Sequence, residues 1–201
     1  MEAKSSRIIA FGADGRVGRA TVAEGRRRGH EVTTASRSDG DVTDPAAVAR
    51  LAAGHDAAIV AVCEPGAAPG EFFPAVARAL AEGLPAAGVK RLVSVGPASV
   101  PPTASGDLLM DAPGCPQEWR ELYVGHGAGT AALRASAPEA LDWAVLSPAG
   151  DFDPVGEPSG GYVRAPSAAG SRITHEDFAR ALLDEAEAPT LHRTHAGVSA
   201  A

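Results

Sequence analysis

The chain is predicted to fold as an α/β domain, a doubly wound parallel sheet with helices on both faces. Three observations predict it. Apolar runs of strand length alternate with segments of helical period along the whole 201 residues. Runs such as "IIAF" and "AAIVAV" are continuously apolar, as strands buried on both faces must be. Where the first run gives way to the first helical segment, glycines recur every third residue in "GADGRVG".

Taken in order, strands are expected at Arg7 to Gly12, Glu31 to Ser36, Ala57 to Val62, Arg91 to Gly96 and Trp143 to Pro148. A weaker sixth is expected at Thr194 to Ser199, and a further short one around Gly40 to Val42. Helices fill the gaps at Val17 to Arg28, Pro45 to Ala53, Phe72 to Ala87, Glu118 to Ala135 and Glu176 to Glu187. Asp44 before Pro45, and Thr174 before "HEDFARALL", are N-cap signals. Arg26 to Arg28 read as a solvated helix end, and Trp119 and Trp143 as packing residues. Pro101 to Asp107 and Asp151 to Ser171 read as loops. The second is longer than a routine connection and rich in glycine and proline, hence a candidate lid. Its Tyr162 and Arg164 are expected to line or cover the pocket. No repeat or linker divides the chain, so residues 1–201 are expected to form one domain with only a small C-terminal substrate region.

Composition narrows the partners. Eighteen Lys and Arg against 25 Asp and Glu give a net charge of −7, which disfavours a nucleic-acid backbone or an anionic membrane. Two cysteines, without CxxC or Cys/His spacing, suggest neither a disulfide framework nor a metal site. No apolar run approaches the roughly 18 to 20 residues of a membrane span. A cytoplasmic protein acting on a small molecule is the expectation.

The glycine turn supplies the first chemistry. Gly12 permits a tight exit from the strand, Gly15 lets the backbone approach a pyrophosphate, and Gly18 allows close packing of helix on strand. A phosphate would then rest on free amides at a helix N-terminus, flanked by Asp14, Arg16 and Val17. The spacing is GxxGxxG, and a purely structural turn is the alternative. The fold expected from a dinucleotide reading is Rossmann-type. At the end of the second strand, "ASRS" offers Ser36 where NAD binders carry an acid, followed by Arg37. Arg37 and Arg16 would suit a 2′-phosphate, favouring NADPH over NADH. Solvent-exposed arginines, one neutralised by Asp39, are the alternative.

The segments "GADGRVG", "RGHEV", "GDVTDPAAV", "GHDAAIVAV", "AAGVKRLVSVG", "DWAVLSPAGDF" and "SRITHEDFARALLDEAE" together resemble the atypical short-chain dehydrogenase/reductases of the NmrA-like, NADH-flavin-reductase-like group. The resemblance spans nearly the whole chain. It implies that Asp41 and Val42 lie against the adenine, and that Ala61, Val62 and Cys63 pass under the adenosine ribose. It further implies that Val95, Gly96 and Pro97 face the nicotinamide ribose, and that Ser147, Pro148 and Ala149 approach the nicotinamide. The group's "GGAGS"-like turn is "GPASV" here, so Pro97 removes an amide the relatives possess.

Short-chain reductases commonly protonate a carbonyl through a Tyr-x-x-x-Lys pair. Here Tyr123 is followed at the lysine position by Gly127. Tyr123, His126 and Ser99 are the remaining candidates for a proton donor or an orienting hydroxyl. A conjugated acceptor such as a flavin or quinone can take its proton from water, so the missing pair shifts the expectation toward hydride transfer to such an acceptor. A redox sensor that binds NADP without turnover, and a non-redox isomerase or lyase, are the alternatives.

Overall fold

Residues 5–201 are described by the computed structural model, and each expected helix is present. The elements run β1 (Arg7–Phe11), α1 (Arg16–Arg27), β2 (Glu31–Ala35), α2 (Pro45–Ala52), β3 (Ala57–Val60), α3 (Pro69–Ala86) and β4 (Arg91–Val95). They continue α4 (Arg120–Ser136), β5 (Asp142–Pro148), β6 (Asp151–Phe152), β7 (Tyr162–Arg164), β8 (Arg172–Ile173), α5 (His175–Glu187) and β9 (Thr194–Ala200). Asp44 and Thr174 cap α2 and α5 as expected, accepting from the amides of Ala46 and Asp177.

Seven strands form one sheet in the order β2-β1-β3-β4-β5-β9-β7, parallel except for the edge strand β7. Successive residues of each central strand face opposite layers. Ile9, Val60, Leu92 and Trp143 pack against α2, α3 and α4, together with Val48, Leu80, Leu84 and Leu133. Ile8, Ile59, Val93 and Leu146 pack against α5 through Phe178, Leu182 and Leu183. Both faces are therefore dry, and this is why the strands read as continuous apolar runs. The chain passes from β1 outward to β2, then returns across β1 to β3. That reversal opens a crevice above the carboxyl ends of β1 and β3.

Four expectations are corrected. Gly40 to Val42 is not a strand, because the Asp41 carboxylate accepts from the Thr43 amide and hydroxyl (2.8 and 2.7 Å) and closes a local turn. Asp151 to Ser171 is not a free loop. It carries β6 and β7, its Ser159 and Gly160 amides are held by the buried Asp177, and its Ser167 hydroxyl is held by the Pro101 carbonyl. Trp143 is fully buried, but Trp119 is half-exposed and packs no core. Finally, Arg28 is no solvated charge: it bridges Glu24 of α1 to Asp184 and Glu187 of α5.

The end of the sheet opposite the crevice is tied by charge. Arg91 is buried and donates to Asp142 (2.8 Å), to the Glu185 carboxylate (3.0 Å) and to the Glu185 and Leu191 carbonyls (2.9 and 3.0 Å). Glu185 also accepts from the Thr190 and Leu191 amides. Removing one partner of such a pair strands the other charge in the interior. Glu185→Ala is thus expected to lower stability by about 3–5 kcal/mol in urea unfolding, with nucleotide binding to the folded protein unchanged.

Candidate functional site

The glycine turn is built by steric necessity at two of its three glycines. Gly12 has φ +77°, and a Cβ there would stand 2.2 Å from the Ala61 carbonyl oxygen of the neighbouring strand end. A Cβ on Gly18 would stand 2.1 Å from the Gly12 oxygen. Gly15 differs. Its φ of −70° suits any residue, and a Cβ would find only ordinary contact, 3.4 Å from Gly12 oxygen. The fold does not require glycine at 15, so the open space above it belongs to whatever the turn receives. Gly15 is also the N-cap of α1, with no side-chain cap and no acidic residue in the first turn. The leading amides of α1 and its positive dipole end are left for an anion.

Above this turn lies a cleft of about 680 Å³, within the usual range for a small-molecule site. It brings together Gly12, Asp14, Gly15, Arg37, Asp41, Val42, Ala61, Val62 and Cys63, nine of the expected contact residues, from the ends of β1, β2 and β3. Phe72, Glu64 and Pro65 complete its far wall and were not anticipated. Burial and then the neighbouring Glu64 carboxylate push the Cys63 thiol up, so it is not a reactive thiolate.

Nine other expected contacts fall outside the cleft, three of them in the opening turn. Gly18 is buried beneath Gly12, Val17 packs toward the α5 layer, and Arg16 is exposed with its charge felt by His175 at the start of α5. Arg16 and Arg37 are therefore not paired on one wall. Nor does Asp39 neutralise Arg37: the Asp39 carboxylate accepts from the Ser36 amide and hydroxyl, both at 2.8 Å, while Arg37 Nη1 lies 2.7 Å from Glu64 Oε1.

The ends of β4 and β5 form a second, drier region. Ser147, Pro148 and Ala149 are buried. Ala149 spends its amide on the Val198 carbonyl, and Ser147 Oγ lies 2.7 Å from His195 Nε2. Gly96 lies over that pair, and a Cβ there would come within 2.9 Å of Ser147 Oγ and 3.1 Å of His195 Nε2. Val95 lines a small cavity with Ser94, His126 and Thr130, while Pro97 begins the long connection to α4. Sequence reasoning missed His195. Its signal was a histidine in a strand made regular by its pairing with β5 and β7.

The proton-donor candidates separate here. His126 is stacked on Phe73 with ring centroids 3.6 Å apart, and burial pushes its pKa down to about 4. His195 is pushed down to about 3 by burial, with the nearby charges of His126 and Arg134 adding to it. Both are neutral at pH 7, so His126 is not the cationic acid the sequence allowed. Tyr123 and the buried Ser99 are brought side by side. Burial, together with negative neighbours that include Asp151 and Glu118, holds the phenol above its usual pKa. Tyr162 and Arg164 lie elsewhere, lining a groove with Glu24 and Arg28, with the Tyr162 hydroxyl donating to Asp184 (2.8 Å).

Comparison with known proteins agrees with this geometry. Residues 12–189 match the model of a family described as NAD(P)H-binding. The uncharacterized protein YwnB of Bacillus subtilis (strain 168) is 33% identical over 200 residues, covering 91% of this chain and 93% of YwnB. A Bacteroides thetaiotaomicron structure, provisionally named an epimerase, superposes with a TM-score of 0.85 at 28% identity, covering 98% of each chain. A Streptococcus pneumoniae structure, provisionally named an NADH-flavin reductase, has a TM-score of 0.79 at 25% identity, covering 98% of this chain and 100% of that one. The chain belongs to the NAD(P)H-binding family, with the fold of the atypical short-chain dehydrogenase/reductases its motifs resemble.

Proposed function

We propose that this protein is a cytoplasmic NAD(P)H-dependent reductase, with NADPH favoured, that passes hydride to a flavin, quinone or similar conjugated small molecule. The observation that carries it is the open Gly15 at an uncapped helix start, set in a cleft of about 680 Å³. The α1 amides would hold the pyrophosphate, and Asp41, Val42 and Ala61 to Cys63 the adenosine half. Arg37 supplies the positive charge for a 2′-phosphate. When bound, the nicotinamide supplies the hydride. The name of the Streptococcus pneumoniae relative supports a flavin acceptor.

The choice of acceptor rests on Tyr123. Without a lysine at position 127 its phenol is held above, not below, its ordinary pKa, so it is not tuned to exchange a proton near neutrality. Loss of a true general acid costs roughly 10²–10⁴-fold in rate. Tyr123→Phe is expected instead to keep flavin and quinone reduction within about threefold of wild type, an effect far smaller than that range. NAD(P)H oxidation followed by absorbance against a panel of flavins, quinones and simple ketones tests both points. Turnover with the conjugated acceptors is expected. Nucleotide binding without turnover of any acceptor would contradict the reductase reading.

A further inference from the structure

We propose that Glu64 sets the cofactor choice of the cleft by competing with the nucleotide for Arg37. The inference rests on the reading of the cleft as a nucleotide site and assigns a residue to its selectivity. Arg37 is the one guanidinium among the described residues lining the cleft, against the carboxylates of Asp14, Asp41 and Glu64. The two acidic residues closest to it in sequence are already engaged, Asp39 by Ser36 and Asp41 by Thr43. Glu64, 27 residues further on, reaches it from just beyond the end of β3, with Nη1 and Oε1 2.7 Å apart. The pair thus spans the mouth of the cleft, with its two members carried by the strands on either side of β1.

The chemistry of the two cofactors then diverges. The Arg37 side chain is 75% exposed, so its bond to Glu64 is worth little. The 2′-phosphate of NADPH offers a guanidinium stronger, charge-assisted hydrogen bonds and displaces the carboxylate. Glu64 then remains beside a phosphate of like charge, which takes back part of that gain. A ribose with free hydroxyls makes no such demand and leaves the pair intact. The wild-type preference for NADPH is therefore modest, and Glu64 is what holds it down.

Calorimetric titration of the full chain with 2′,5′-ADP and with 5′-AMP isolates the effect, because the two probes differ only by the 2′-phosphate. Glu64→Gln is expected to tighten 2′,5′-ADP about tenfold and to leave 5′-AMP within about twofold. Arg37→Ala is expected to abolish the preference for 2′,5′-ADP, and Glu64→Gln to gain on that background only the smaller part owed to like-charge repulsion. Equal changes for both probes, or the full tenfold gain persisting without Arg37, would overturn the competition while leaving the cleft a nucleotide site. Failure of wild type to bind either probe would overturn the cleft reading and this inference together.

Discussion

Acidification from pH 7 to pH 5 is expected to remove about 4 kcal/mol of folding stability, mostly through two histidines. His126 and His195 titrate at about 4 and about 3 in the folded protein, against 6.5 in a solvated chain. The unfolded state therefore binds more protons across this window, and stability falls as pH falls. The contribution is whole above the unfolded value and drains away as pH drops through 6.5 toward the folded values, about 2 kcal/mol per histidine by pH 5. Both rings lack the carboxylate that would stabilise an imidazolium. His126 lies on Phe73, and His195 has a buried Nδ1 without a hydrogen-bond partner. Urea unfolding at the two pH values checks this, with His126→Phe and His195→Gln each expected to halve the loss. A stability flat between pH 7 and pH 5 would mean that the rings are hydrated or paired.

A second large effect separates binding from folding. Gly15→Trp is expected to weaken nucleotide binding by more than about 100-fold while leaving the thermal midpoint within a few degrees of wild type. The backbone at 15 is already in a conformation open to any residue, and the new side chain points into the cleft rather than into the core. Gly18→Val is the opposite case, since its Cβ would collide with the Gly12 carbonyl and force helix from strand. Circular dichroism and calorimetry on the two variants should therefore give contrasting results: a folded non-binder from the first and a destabilised fold from the second.

The contrast also explains what was legible in the sequence. The parallel core was readable because burial on both faces leaves uninterrupted apolar runs such as Ala57–Val60. The caps at Asp44 and Thr174 were readable because their chemistry is local. The edge strand β7 was not, because three residues of a Gly- and Pro-rich loop become a strand only by pairing with β9. The same limit governed the site. Of the nine cleft residues, Gly12, Asp14, Gly15 and Arg37 were readable from the strand-turn-helix order, and Asp41, Val42 and Ala61 to Cys63 came from the resemblance. Glu64 against Arg37 and His195 against Ser147 are long-range pairings that no spacing encodes. The turn at Gly40 to Val42 was misread because its apolar valine outweighed, in a linear reading, the side-chain bond from Asp41 to Thr43.

Calorimetric titration of the wild-type protein with NADPH and NADH tests the central claim most directly, namely that the crevice above β1 and β3 is a dinucleotide site. The account predicts one-to-one binding of both at micromolar concentration, tighter for NADPH. No heat from either nucleotide at millimolar concentration would contradict it, leaving the glycine turn as a piece of architecture only.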